Sequence, residues 1–392
     1  MLSSTNADIK PARRIAEVKE YYFSRKLKEI AKLNASGADI ISLGVGGPDR
    51  PPHDDVIKTL CTESQKHNSH GYQPYVGVPE LREAFSAWYA RYYGVEIDSE
   101  NEILPLIGSK EGIMHITMAF INPGDGVLVP NPGYPTYTSV SRLAEAEIFN
   151  YDLTEENNWM PDFDALEKLP LDKIKLMWVN YPNMPTGKTA SIELFQKLVD
   201  FGLKHNIVIV NDNPYSFILN DKPLSIFNAQ GAKEIAIELN SLSKSHNMPG
   251  WRIGMATANA QFINWIIRVK SNVDSGQFRP VMLAAAKALE CDEKWYNELN
   301  AEYSSRRKIA EKIMTALKCT FSDEQRGLFL WAKIPDNKVN AEDYADEILR
   351  EAKVFVVPGS VFGTNGDRYI RLSLCATQGK LNEALKRITT TI

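Results

Sequence analysis

The sequence predicts an α/β protein, with a mainly parallel doubly wound sheet in a large domain and a smaller α+β domain beside it. Three observations lead there. Short β-branched runs alternate with helical patterns over residues 46–289, the repeat expected of βαβ units. Several of these runs are apolar nearly throughout, as are strands covered by helices on both faces. After Leu289 the texture changes to a long charged helix and three further strand candidates. A chain of 392 residues also exceeds what one hydrophobic core usually supports. The large domain is therefore read as residues 46–289, and the small one as residues 1–45 with 290–392.

In chain order, Lys19–Leu33 has the apolar spacing of a charged amphipathic helix. It leads through Asn34, Ser36 and Gly37 into the apolar run Ile40–Leu43, which ends in the turn Gly44-Val45-Gly46-Gly47-Pro48. Strands are predicted at Glu102–Ile107, Gly126–Pro130, Lys173–Val179, Ile207–Val210, Glu234–Leu239 and Ile253–Ala256. Helices are predicted at Pro79–Tyr93, Lys110–Phe120, Ile192–His205 and Gln261–Ser271. The small domain reads as helices Lys294–Leu317 and Ala341–Ala352 with strands Leu328–Lys333, Val354–Val357 and Tyr369–Leu374.

Composition narrows the function. Hydrophobic residues at 44% and charged residues at 24% are values of a folded globular chain. A net charge of -4 leaves no basic footprint for nucleic acid and no polybasic membrane patch. The polar stretch Met1–Arg14 is unlike a secretory signal, and no apolar run has the length to span a bilayer. A cytoplasmic protein acting on small molecules is expected. Cys61, Cys291, Cys319 and Cys375 are far apart and form no CxxC pair, so reduced thiols and no metal site are expected.

The strongest local signal is the segment from Ser241 to Gly254. Lys244 follows a buried strand in a serine-rich turn, where open α/β sheets bind their ligands. There a desolvated amine can form a Schiff base. Ser241, Ser243 and Arg252 are donors suited to a phosphate. Gly108-Ser109-Lys110 lies between a strand and a helix, where backbone amides and the helix N-terminus attract anions. Arg371 sits in an otherwise apolar strand, a costly position without an anion to bind.

The segment Ser241-Leu242-Ser243-Lys244 followed by Pro249-Gly250-Trp251-Arg252-Ile253-Gly254 resembles the SxSKxxxxPGxRxG signature of class I/II aminotransferases of fold type I. The resemblance extends over nearly the whole chain. It implies a pyridoxal 5'-phosphate (PLP) enzyme in which Lys244 holds the cofactor as a Schiff base and acts as base. Asp212, in Asn211-Asp212-Asn213-Pro214-Tyr215, would pair with the pyridinium nitrogen, and Tyr215 would bond the phenolic oxygen. Gly108, Ser109, Lys110, Ser241, Ser243 and Arg252 would hold the phosphate, joined by Tyr72 of a neighbouring subunit. Tyr134 would stack on the ring. The Gly46 amide and a bidentate Arg371 would bind the substrate carboxylate.

Two positions depart from the family pattern. Met184 stands where an asparagine usually donates to the phenolic oxygen, leaving Asn183 or a water as a substitute contact, and Asn213 replaces a usual glutamate. The resemblance implies ping-pong transfer of an α-amino group to a 2-oxo acid by a homodimer with shared sites. Arg279, after the turn Ser271-Asn272, is the candidate for a distal substrate carboxylate. Another reaction on the same scaffold, such as a C–S lyase, or a non-catalytic PLP-binding regulator, stays open at this level.

Overall fold

The computed structural model describes residues 9–16, 18 and 20–392. Met1–Asp8 and Lys19, included in the sequence reading above, lie outside the described residues. The strands in chain order are β1 (Ile41–Ser42), β2 (Ile103–Leu106), β3 (Gly126–Asn131), β4 (Glu147–Asp152), β5 (Ile174–Val179) and β6 (Val208–Asp212). They continue with β7 (Ala236–Ser241), β8 (Gly254–Thr257), β9 (Phe329–Lys333), β10 (Val354–Phe355), β11 (Val357–Pro358) and β12 (Tyr369–Ser373).

Seven strands form one sheet in the order β2-β8-β7-β6-β5-β3-β4. Its core strands send alternate residues to opposite faces. Leu176, Trp178, Val208 and Val210 join one buried cluster, while Met177, Val179 and Ile209 join another on the far side. Both faces are covered, which is why these strands read as apolar runs. The helices Pro79–Tyr93, Ile192–His205 and Ala341–Ala352 form with the predicted limits. A third cluster joins Ile30, Ile41 and Leu43 to Tyr303, Ile313, Leu330, Val354, Leu372 and Ile388. There β1 pairs in parallel with β10, and a separate sheet runs β11-β12-β9.

The helices Asp54–Ser64, Pro135–Leu143, Arg279–Leu289 and Gln378–Thr391 go beyond the sequence reading, and three strands depart from it. The strand β4 was not predicted; it is an edge strand whose side chains are mostly exposed or half-buried, so it carries no apolar run. The predicted strand Val354–Val357 divides, its first half pairing with β1 and its second with β12. The strand β8 runs antiparallel to β7 because a turn with one short helix, not a full crossover, joins them.

Candidate active site

The carboxyl ends of β2, β3, β5, β6 and β7 deliver Ser109, Tyr134, Asn180, Asp212 and Lys244 to the wall of one cavity of about 350 Å³, a size suited to a small-molecule ligand. Arg371 of β12 enters from the other cluster, as do Phe329 and Phe362.

Lys244 follows β7 in a single helical turn, Leu242–Ser245, whose start is capped by the Ser241 hydroxyl accepting from the Ser243 N–H. Its ammonium donates to the Gly46 carbonyl. Burial, and then the nearby Arg371 and Arg252, push the Lys244 amine below its ordinary value, while Cys375 and Asp212 work in the other direction. A lowered amine pKa increases the fraction able to act as nucleophile or base.

Asp212, at the end of β6, is only 5% exposed. The Tyr137 hydroxyl donates to its Oδ2 at 2.8 Å, and Oδ1 has no partner. Burial raises this carboxyl to about 6 against the opposing pull of Tyr137 and Lys244. Tyr137 is fixed in turn by stacking on Trp178, with ring centroids 5.0 Å apart. The Asn180 amide donates to the Asp212 carbonyl and holds the strand end in place. A buried carboxylate with an open lone pair is ready for a cationic N–H donor.

Arg371 is 3% exposed and pairs with no carboxylate among the described residues. It donates from Nη2 to the Gly44 carbonyl at 2.9 Å and from Nη1 to the Met184 sulfur at 3.0 Å, and Nε has no partner. The rings of Phe329, Phe362 and Phe23 surround it, with centroids 3.8, 4.5 and 5.4 Å from the guanidinium carbon. Burial lowers it to about 10. A guanidinium so desolvated gains most from a planar anion that accepts two hydrogen bonds.

Gly108 has φ +79° and lies so close to Arg252 that an added Cβ would clash with its guanidinium. Only glycine fits there. Arg252 donates to the Pro249 carbonyl at 3.0 Å and the Ile107 carbonyl at 3.3 Å, beside Ser109, Lys110, Ser241 and Ser243. These hydroxyls, amides and cations form a cradle for a dianion.

Most sequence-predicted site residues therefore meet. Gly46, Ser109, Lys110, Tyr134, Asp212, Tyr215, Ser241, Ser243, Lys244, Arg252 and Arg371 line the cavity, with Gly108 against Arg252. Asn183 requires a correction: its Oδ1 accepts from the Thr186 N–H and hydroxyl, bracing a turn, and it does not line the cavity. Tyr72 is 92% exposed, and Arg279 bonds Glu80 at 2.8 Å; neither lines this cavity. Asn213 points to the Leu224 carbonyl rather than to the site. Sequence reading did not single out Asn180, Tyr137, Tyr21 or the phenylalanine cage. Tyr137 lies three residues after Tyr134, and Asn180 is the polar residue just beyond an apolar strand; the phenylalanines carried no local signal.

The residues fit PLP on three structural grounds. Asp212 Oδ1 is free for a pyridinium N–H, the Gly108–Arg252 cradle suits a phosphate, and Lys244 lines the same cavity.

The family profile described as aminotransferase class I and II matches residues 38–388. The LL-diaminopimelate aminotransferase of Dehalococcoides mccartyi is 40% identical over 382 residues, covering 97% of this chain and 98% of the relative. That of Aquifex aeolicus is 38% identical over 377 residues, covering 96% and 97%. Among solved structures, apo-BacF from Bacillus subtilis superposes with a TM-score of 0.93 at 35% identity, covering 98% of each chain. With the cavity chemistry and these likenesses together, the chain belongs to the class I and II aminotransferases and is a PLP-dependent aminotransferase.

Proposed function

We propose that this aminotransferase transfers the α-amino group of LL-diaminopimelate to a 2-oxo acid such as 2-oxoglutarate, in two half-reactions at the one cavity. The observation that carries the catalytic reading is the meeting of Asp212, Lys244 and Arg371 in one cavity, with Asp212 and Arg371 buried and each holding a polar atom without a partner, and half-buried Lys244 depressed in pKa by desolvation. The donor is taken from the curated relatives, which bear that name at 40% identity over 97% of this chain.

PLP, when bound, supplies an aldehyde and a ring able to accept an electron pair. Lys244 would anchor it and would serve as the base that moves the proton at the substrate Cα. Asp212 Oδ1 holds a proton on the ring nitrogen, and Tyr137 keeps that carboxylate oriented. Arg371 and the Gly46 amide orient the substrate carboxylate, and the three phenylalanine rings exclude water from the arginine. Tyr215 donates to the phenolic oxygen.

The same reading includes a homodimer, in which exposed Tyr72 reaches the neighbouring phosphate cradle and Arg279 reaches a distal carboxylate. It keeps residues 46–289 as the large domain and 1–45 with 290–392 as the small one, supported by the separate cluster joining Ile30–Leu43 to residues 299–388. The cytoplasm is the proposed compartment, supported by four free thiols.

A donor panel tests the reading. With 2-oxoglutarate as acceptor, kcat/KM for LL-diaminopimelate should exceed that for phenylalanine, methionine or aspartate by about 10-fold or more. Phenylalanine as the preferred donor would remove the substrate assignment and leave the class intact. Turnover by Lys244→Ala at the wild-type rate would remove the catalytic one.

A further inference from the structure

Behind the phosphate end of the cavity, four ionisable side chains meet outside the site described above. Lys270, the last residue of the helix Ala260–Lys270, is 1% exposed, and its Nζ lies 2.6 Å from Asp274 Oδ2. Asp274 Oδ1 accepts from the Gly276 N–H at 2.8 Å, and its carboxylate lies within 4.8 Å of that of Glu111. Glu111 Oε1 lies 2.9 Å from His115 Nε2. Burial opposes ionisation of Asp274, yet the Lys270 ammonium and the Gly276 N–H hold it below its usual range.

The cluster reaches the cradle by two short routes. Glu111 Oε2 accepts from the Ile107 N–H, and the Ile107 carbonyl accepts from Arg252 Nη2 at 3.3 Å. Gln277, three residues after Asp274, donates to the Arg252 carbonyl at 3.1 Å and the Leu106 carbonyl at 3.3 Å. Both routes grip the backbone just before Gly108 and at Arg252, where a small displacement would misplace the donors. A fully buried lysine is costly unless its partner is held in place, so this pair fixes the geometry around it.

We propose that Lys270 and Asp274 are positioning residues for the phosphate cradle. They fix the start of the 274–277 loop, whose Gln277 grips the Arg252 backbone beside Glu111 on the Ile107 amide, so that the Gly108–Lys110 amides and the Arg252 guanidinium stand preorganised for a phosphate dianion. The proposal rests on the assignment of Ser109, Ser241, Ser243 and Arg252 to the phosphate.

The apoprotein titrated with PLP, and separately with pyridoxal, which lacks the phosphate, tests it. In Asp274→Ala the Kd for PLP should rise roughly 10- to 100-fold, the range of outer-shell losses at ligand sites, while that for pyridoxal stays unchanged. Asp274→Glu should recover part of the loss. Lys270→Met with Asp274→Asn should lose less than the single changes combined, because no unpaired charge remains. Gln277→Ala, which removes no buried charge and should fold normally, should weaken PLP alone by a few-fold. Equal weakening of both ligands, or a lowered Tm with an unchanged PLP Kd, would reduce the cluster to general stabilisation and overturn the proposal. A wild-type protein that binds pyridoxal as tightly as PLP would instead refute the cradle assignment itself.

Discussion

Two buried arginines, each 3% exposed, have opposite surroundings. Arg306 meets Asp49 through two nitrogens, at 2.7 and 3.1 Å, and Glu302 at 2.7 Å, and these carboxylates raise its pKa against the cost of burial. Arg371 meets a carbonyl, a thioether and three aromatic rings, and burial lowers it. The first arginine is complete within the protein and ties the segment after the Gly44–Gly47 turn to the helix Glu293–Ala316. The second has no carboxylate partner among the described residues, and under the proposed function the substrate carboxylate supplies it. Charge deficit, rather than burial, separates binding groups from structural ones here.

The largest expected effects come from removing each arginine. Arg371→Ala should lower kcat/KM for amino acid donors by about 2–5 kcal/mol of transition-state binding, with little loss of apoprotein stability. Arg306→Ala should do the reverse, costing about 3 kcal/mol of unfolding free energy, the low end for a broken buried pair because Asp49 keeps solvent contact. Urea unfolding beside steady-state kinetics separates the two. Equal stability losses in both variants would erase the contrast.

Asp212 sharpens the same contrast on the anionic side. Free of cofactor, its folded carboxyl keeps a proton up to about pH 6, whereas the unfolded chain releases it near 3.8. The folded state thus binds more protons in that window, and its stability should fall as pH rises through it, by up to about 3 kcal/mol. Asp212→Asn should flatten this slope in apoprotein unfolding measured from pH 4 to 7. An unchanged slope would assign the effect to other groups.

Much of this site was legible because Lys244, Asp212 and Arg252 lie in short contiguous motifs at strand ends, where local sequence and ligand geometry coincide. Arg371 was legible as a charge within an apolar strand. The cage around it was not, since Phe23, Phe329 and Phe362 are brought together only by tertiary packing and read singly as core residues. The strand β4 escaped notice for the opposite reason, its exposed edge lacking apolar patterning. Asn183 was misplaced because sequence adjacency to Met184 does not reveal which side chain faces inward.

Met184 gives a smaller expected effect. A thioether cannot donate a hydrogen bond to a phenolic oxygen, and here its sulfur accepts from Arg371 instead. In the PLP-loaded enzyme, Met184→Asn should lower the pH midpoint of the visible absorbance change; an unchanged midpoint would mean that another donor already serves. Smallest of all, Arg279→Ala should raise KM for 2-oxoglutarate while leaving Tm nearly unchanged, since the Arg279–Glu80 pair is partly exposed. An unaltered KM would leave Arg279 as a surface partner of Glu80.

The most direct measurement is reduction of the PLP-loaded enzyme with borohydride, followed by digestion and mass spectrometry of the labelled peptide. A single phosphopyridoxyl label on Lys244, absent from Lys244→Ala, is the predicted result. A label on Lys110 or Lys270 instead, or none in an enzyme that still transaminates, would contradict the central assignment.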